Sequence, residues 1–127
     1  MTHWTADELA RLGGADEMHI AGRRADGSHA RAVIVWMVRL GDEVYTRSVN
    51  GPDAAWFRTT RPLREGHINA AGVDKDVAFI DIDPDDPLND DLDAAYRSKY
   101  RRYTGPVASI TSRQARSATL KLVPRQN

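Results

Sequence analysis

The chain has no cysteine among its 127 residues, which excludes disulfides, thiolate nucleophiles and cysteine-ligated metals. No uninterrupted apolar run approaches the roughly 20 residues of a membrane-spanning helix. Residues 1–10 carry Asp7 and Glu8 and lack the apolar core of a signal peptide, so the expectation is a cytoplasmic protein without a membrane anchor. Net charge is absent as well. Eighteen Lys+Arg offset 18 Asp+Glu, which argues against a nucleic-acid partner at the level of whole-chain charge. What is present is a globular balance, 41% hydrophobic and 28% charged, in a length suited to one core and one domain, 1–127.

The zero sum conceals segregated charge. Residues 74–93 hold nine acids against Lys75, and residues 94–127 hold eight bases and no acid. Such blocks either pair with each other, stay solvated, or leave one basic surface for an anion. Arginine outnumbers lysine 15 to 3, which suits bidentate contacts to phosphate or carboxylate.

Thr5-Ala6-Asp7-Glu8 forms a capping box, with Trp4 and Leu9 at the two positions of a hydrophobic staple, and predicts a short helix over about 6–12. Strand patterns follow at Met18–Ile20, at Val44 to Val49, and at about 65–71, 76–82 and 118–123. The run Ala32 to Val38 is apolar throughout and rich in β-branched residues, which predicts one central strand covered on both faces. Asn50-Gly51-Pro52-Asp53 is a turn leading into a short helix, Ala54 to about Thr60. The strongest helix signal is 89–103, where Leu92, Ala95, Tyr96, Tyr100 and Tyr103 share one stripe and Gly105-Pro106 closes the end. Six short strands with scattered helices, and no regular alternation of strand and helix, predict a mainly β (α+β) fold: an antiparallel six-stranded barrel with short peripheral helices.

No motif for hydrolase or nucleoside-triphosphate chemistry is present, and the histidines lack a zinc spacing, so no metal site is expected. Asp81-x-Asp83-x-Asp85 begins like a calcium loop, but Asp86 and Leu92 stand where glycine and glutamate are required. It reads as an acidic loop capping the next helix. Two loops remain as candidates. The first, Gly22 to Arg31, bears Arg23, Arg24, Ser28 and Arg31 around a glycine turn. The second delivers Arg47 and Ser48 to the Asn50-Gly51 turn, followed by Trp56-Phe57-Arg58. Arginines beside a glycine turn can hold a phosphate while an aromatic wall lines the rest of a planar ligand. The structural alternative for Arg47 is an ion pair with a barrel carboxylate.

Gly22-Arg23-Arg24-x-Asp26-Gly27-x-x-x-Arg31 resembles the hairpin of the deazaflavin-dependent nitroreductases, and Tyr45-x-Arg47-Ser48-x-x-Gly51 with Trp56-Phe57-Arg58 resembles their strand, turn and aromatic helix. Those proteins belong with the FMN-binding split barrels. The whole pattern, with the Trp36 strand, Tyr96-Arg97-x-Lys99-Tyr100 and Ala118-Thr119-Leu120-x-Leu122-x-Pro124, is more similar still to the domain of unknown function 2255 family. This chain departs from the nitroreductase pattern at Arg24-Ala25-Asp26 and at Arg58.

The resemblance implies a split barrel, usually a homodimer, that binds FMN or a deazaflavin coenzyme as an oxidoreductase acting on a small molecule. Arg23, Arg24, Ser28, Arg31, Arg47, Ser48, Asn50 and Gly51 would hold the cofactor's anionic part, Trp56 would flank its ring, and Lys99 and Tyr100 would face a substrate. No residue is assigned as catalytic acid or base. The alternative is a binding or interaction module with the same barrel and no redox chemistry, its tryptophans serving as core.

Overall fold

Helix α1 (Ala6–Gly14) begins at the expected box: the Thr5 hydroxyl accepts the Glu8 N–H at 3.1 Å and the Glu8 carboxylate accepts the Thr5 N–H at 2.9 Å. Trp4 and Leu9 are buried, and the Trp4 indole donates to the Leu122 carbonyl at 3.0 Å. The structure is a computed structural model describing residues 3–125. Met1 and Thr2 of the leader reading and Gln126 and Asn127 of the basic block lie outside the described residues.

Seven strands form one antiparallel sheet: β1 (Met18–Gly22), β2 (Val33–Val35), β3 (Met37–Leu40), β4 (Glu43–Arg47), β5 (Glu65–Ala70), β6 (Val73–Ile82) and β7 (Thr119–Pro124), in the order β2-β1-β5-β6-β7-β4-β3. β2 and β3 occupy the two ends of that order, yet only Trp36 separates them in the chain. The sheet therefore curls almost onto itself as a split barrel.

The expected count of six strands is corrected to seven for this reason. The run 32–38 is not one central strand but two edge strands broken at Trp36. Its lack of polar residues has another cause. Met37 faces the barrel interior with Met18, Ile20, Val44, Ile68 and Leu120, while Val38 faces a second cluster with Tyr45, Leu92, Tyr96 and Tyr100. Both faces of β3 are covered, by barrel and by helix.

Helix α2 (Ala55–Arg58) is a single turn. The predicted helix 89–103 is shorter: α3 spans Leu88–Lys99 and ends at Tyr100, whose φ and ψ of −111° and 27° leave the helical region. Gly105-Pro106 does not close it. Both lie in the first turn of α4 (Thr104–Ile110), where a proline costs no hydrogen bond because the first amides have no helical partner. α5 (Arg113–Arg116) follows. Tyr103, placed by periodicity on the buried stripe, is 40% exposed because the chain has already left α3. Asp83 and Asp86 accept the Asp85 and Leu88 N–H groups at 2.8 and 2.9 Å, so the acidic loop does cap the start of α3.

Among the described residues no helix is long and apolar enough to cross a membrane, and no cluster of three or more histidines and carboxylates is arranged to hold a metal ion.

Candidate functional site

β4 alternates sides, sending Val44 into the barrel and Tyr45 and Arg47 toward α3. Arg47 is 1% exposed, and all five of its N–H donors have protein partners. Nε donates to Thr119 Oγ1 at 3.0 Å, one terminal nitrogen to Asp93 Oδ1 at 2.5 Å and the Ile110 carbonyl at 3.2 Å, and the other to Asn89 Oδ1 and its carbonyl at 3.0 and 3.3 Å. The guanidinium also lies 5.5 Å from the centre of the Tyr96 ring. Asp93 is shared: its Oδ2 accepts Arg116, which also pairs with Asp90 at 2.8 Å. The acidic and basic blocks thus meet within one chain. The ion-pair alternative for Arg47 is realised, with a carboxylate from α3 rather than from the barrel.

The Gly22–Arg31 hairpin is likewise closed on itself. Arg23 donates to the Gly27 carbonyl at 3.0 Å and pairs with Glu65 at 3.3 Å, and Arg24 donates to the His29 carbonyl at 3.1 Å. Ser28 donates its N–H and hydroxyl to Asp26 at 2.9 and 2.6 Å, bonds that hold the Asp26 carboxyl below its usual range. Arg31 is exposed and enters none of these contacts.

At the second loop, Gly51 turns the chain with φ of +81°, and a Cβ there would come within 2.6 Å of Gln114 Cγ. Gln114 also donates to the Asn50 carbonyl at 2.7 Å, so α5 covers the Asn50-Gly51 turn. The Ser48 hydroxyl is buried without a hydrogen-bond partner among the described residues.

α2 packs against β1, where a Cβ on Gly22 would lie 2.7 Å from the Thr59 carbonyl. The two loops are therefore brought to one end of the barrel. Beside the second loop a cleft of about 250 Å³ opens, with Trp36 and Trp56 in its walls and Ile34 and Val49 at its rim, 54% and 43% exposed. Ile110 and Pro106 of α4 and Glu17 also line it. Arg47 borders the cleft, but its donors are spent on the partners above.

Lys99 and Tyr100 lie behind this cleft. The Tyr100 ring stacks on Trp36, its hydroxyl donates to the Asp16 carbonyl at 2.7 Å and accepts the Met37 N–H at 3.3 Å, and burial raises its pKa. Lys99 donates to the Met37 and Leu12 carbonyls at 2.8 and 3.4 Å, and burial pushes its ammonium down to about 8.

Of the candidate ligand contacts in the sequence reading, Arg47 and Trp56 line the cleft, and Arg31 is not among its lining residues. Glu17, Ile34, Val49 and Ile110 carry no motif, and only the interruption of an apolar run by Trp36 signals a wall.

Residues 8–122 match the family described as uncharacterized protein conserved in bacteria, DUF2255. The chain belongs to the DUF2255 family. Sequence comparison of this DUF2255 chain with curated proteins returns no match. Among solved structures it is similar to the heme storage protein HutZ from Vibrio cholerae, at TM-score 0.67 and 12% identity over 96% of this chain and 91% of that one. It is also similar to an FAD and heme binding protein from Mycobacterium smegmatis, at TM-score 0.58 and 19% identity over 94% and 65% of the two chains. An F420 reductase superposes at TM-score 0.50 and 12% identity over 93% and 91%. At these identities the likeness is one of fold, and it places the DUF2255 chain among split barrels.

Proposed function

We propose that this DUF2255 protein binds a planar small molecule in the cleft between Trp36 and Trp56, with FMN or a deazaflavin coenzyme as the first candidates. The observation that carries the reading is the convergence of two tryptophans from separate elements, β2–β3 and α2, on one concave apolar surface. Aromatic walls with few polar groups are what a fused-ring ligand needs. Solved neighbours described as binding heme, FAD or F420 support the same class of ligand.

The residues fit the ring better than the phosphate. Arg23, Arg24, Ser28 and Arg47 are engaged by their own chain, so the grip on an anionic tail falls to Arg31 and Arg58, exposed at the hairpin and α2. A bound flavin would itself supply hydride chemistry, and this chain would stack the ring and exclude water from it. Glu17 is the one side chain lining the cleft with a free ionisable group, so no acid–base pair is assigned. That observation also favours the second reading, a binding module of the same fold without turnover.

A cleft of about 250 Å³ is below the range of complete cofactor pockets, roughly 300–1,000 Å³. With Ile34 and Val49 exposed on its rim, it suits completion by a second protomer, so a homodimer is part of the proposal.

The test is the absorbance spectrum of the purified protein followed by titration with FMN, a deazaflavin and hemin, read by tryptophan quenching. Trp56→Ala should weaken binding at least roughly tenfold, as loss of one stacked aromatic face does. No binding of any of the three at near-millimolar concentration overturns the reading. Substrate reduction by the loaded protein would select the oxidoreductase over the module.

A further inference from the structure

Residues 94–125 carry eight bases and no acid, and the fold gathers four of them away from the tryptophan cleft. A groove of about 700 Å³ runs between the end of the acidic loop, α3 and α5, with Arg97, Arg113 and Arg116 beside Thr111 and Ser117. It continues past Arg97 and Thr111 into a second concavity lined by Arg101 and Thr104. Arg97 lies in the last turn of α3, and Arg101 follows in the turn just beyond its end, so both border the second concavity.

The arginines divide into two kinds. Arg116 is fixed in place, with Nε on Asp93 at 3.0 Å and one terminal nitrogen on Asp90 at 2.8 Å, and its second terminal nitrogen is free of these bonds. Arg97, Arg101 and Arg113 are exposed and make no side-chain hydrogen bond or ion pair to another described residue. Asp85 and Asp93 line the groove and Asp90 pairs with Arg116 beside it, and both oxygens of Asp93 are taken by Arg47 and Arg116. Four arginines (97, 101, 113 and 116) face these three acids, and Asp93 is further neutralised by the buried Arg47, so the groove is net positive, which suits a phosphate.

We propose that this groove is a second binding site, for a small phosphorylated molecule. Arg116 would present a preset donor from the floor, Arg97 and Arg113 would close on the phosphate from opposite walls, and Arg101 would meet a second phosphate or carboxylate along the groove. The concave shape and the mixed carboxylate rim favour a compact anion over a nucleic-acid backbone, which tracks a continuous basic strip. The site is independent of the ligand in the tryptophan cleft. Asp93 nevertheless connects the two, because its other oxygen holds Arg47, which also bonds the carbonyl of the cleft-lining Ile110.

Calorimetric titration with inorganic pyrophosphate, on the full chain at low salt, tests the proposal. Saturable binding is expected, weakened about ten- to a hundredfold in Arg97→Ala and Arg113→Ala and less in Arg113→Lys, while Trp56→Ala and Arg31→Ala bind as the parent does. Both arginines are exposed, and far-ultraviolet dichroism checks that the variants keep the fold. No binding at millimolar pyrophosphate overturns the site, as does binding indifferent to both alanine variants. Tight binding of a single-stranded oligonucleotide, lost in the same variants while pyrophosphate does not bind, would also overturn it in favour of a nucleic-acid surface.

Discussion

Trp36 and Tyr100 lie face to face, with ring centroids 3.9 Å apart and planes within 4° of parallel. One ring is a wall of the cleft at the break between β2 and β3. The other is the buried end of α3. The stack therefore joins helix docking to the shape of the candidate site.

Removing Tyr100 should be felt in both places. Tyr100→Ala is expected to lower the unfolding free energy by roughly 2–4 kcal/mol, as large-to-small core changes do. Tyr100→Phe keeps the stack and loses the bonds to the Asp16 carbonyl and the Met37 N–H, a cost of about 1–3 kcal/mol. Urea unfolding of the three proteins gives these values. If Tyr100→Ala unfolds at the parent's midpoint, α3 does not depend on this contact.

Arg47 is expected to behave as a structural residue. Truncating one partner of a buried ion pair costs about 3–5 kcal/mol, and Arg47→Ala also leaves Thr119, Asn89 and the Ile110 carbonyl without their donor. Arg47→Lys should recover less than half, because one ammonium cannot span partners on β7, α3 and α4. Thermal melts decide it. A stable Arg47→Ala protein with selectively lost flavin binding would return Arg47 to the ligand.

These residues show what a linear reading carries and where it stops. The capping box at Thr5 and Glu8 is local, and the strands β1, β4, β5 and β7 announce themselves by alternation. The break at Trp36 is not local. The same apolar run serves as one covered strand or as two edge strands on opposite sides of a barrel, and only the closure of the sheet selects the second. Pro106 reads equally as a helix stop or as a first-turn residue. Arg47 was legible as an arginine beside a glycine turn, but its partner Asp93 is 46 positions away. Nothing in the spacing links the two.

Lys99 should give stability an unusual slope with pH. Burial lowers its folded pKa to about 8, against about 10.4 for a free lysine, so between these values the unfolded chain binds more protons than the native one. Its contribution to stability therefore rises with pH from about 8 toward 10. Tyr96 and Tyr100, whose folded pKa values are raised by burial, act in the opposite direction once free tyrosine ionises near 10. The clean window is about pH 8 to 9.5. Chemical unfolding across that window should show an upward trend in the parent that is absent in Lys99→Met. A trend equal in both proteins would assign it to other groups.

The last prediction concerns assembly. Ile34 is 54% exposed at the centre of β2, a three-residue strand at the edge of the sheet, and Val49 is 43% exposed across the cleft rim. An apolar rim around a cleft of about 250 Å³ is the surface that a two-fold partner would cover, and a two-fold operation would bring the same rim from the second protomer. The opposing charge blocks are not needed to hold the protomers together, since Arg116 already pairs with Asp90 and Asp93 inside one chain. The interface should therefore be apolar and only weakly sensitive to salt. Light scattering at micromolar concentration is expected to give a dimer for the parent at both low and physiological salt. Ile34→Glu would place two like charges close to the two-fold axis, and a monomer with weakened binding of the cleft ligand is the expected result. Because Ile34 points outward, the variant's melting point should change little. A parent that is already monomeric removes the dimer from the proposal, and the cleft must then hold its ligand from one side alone.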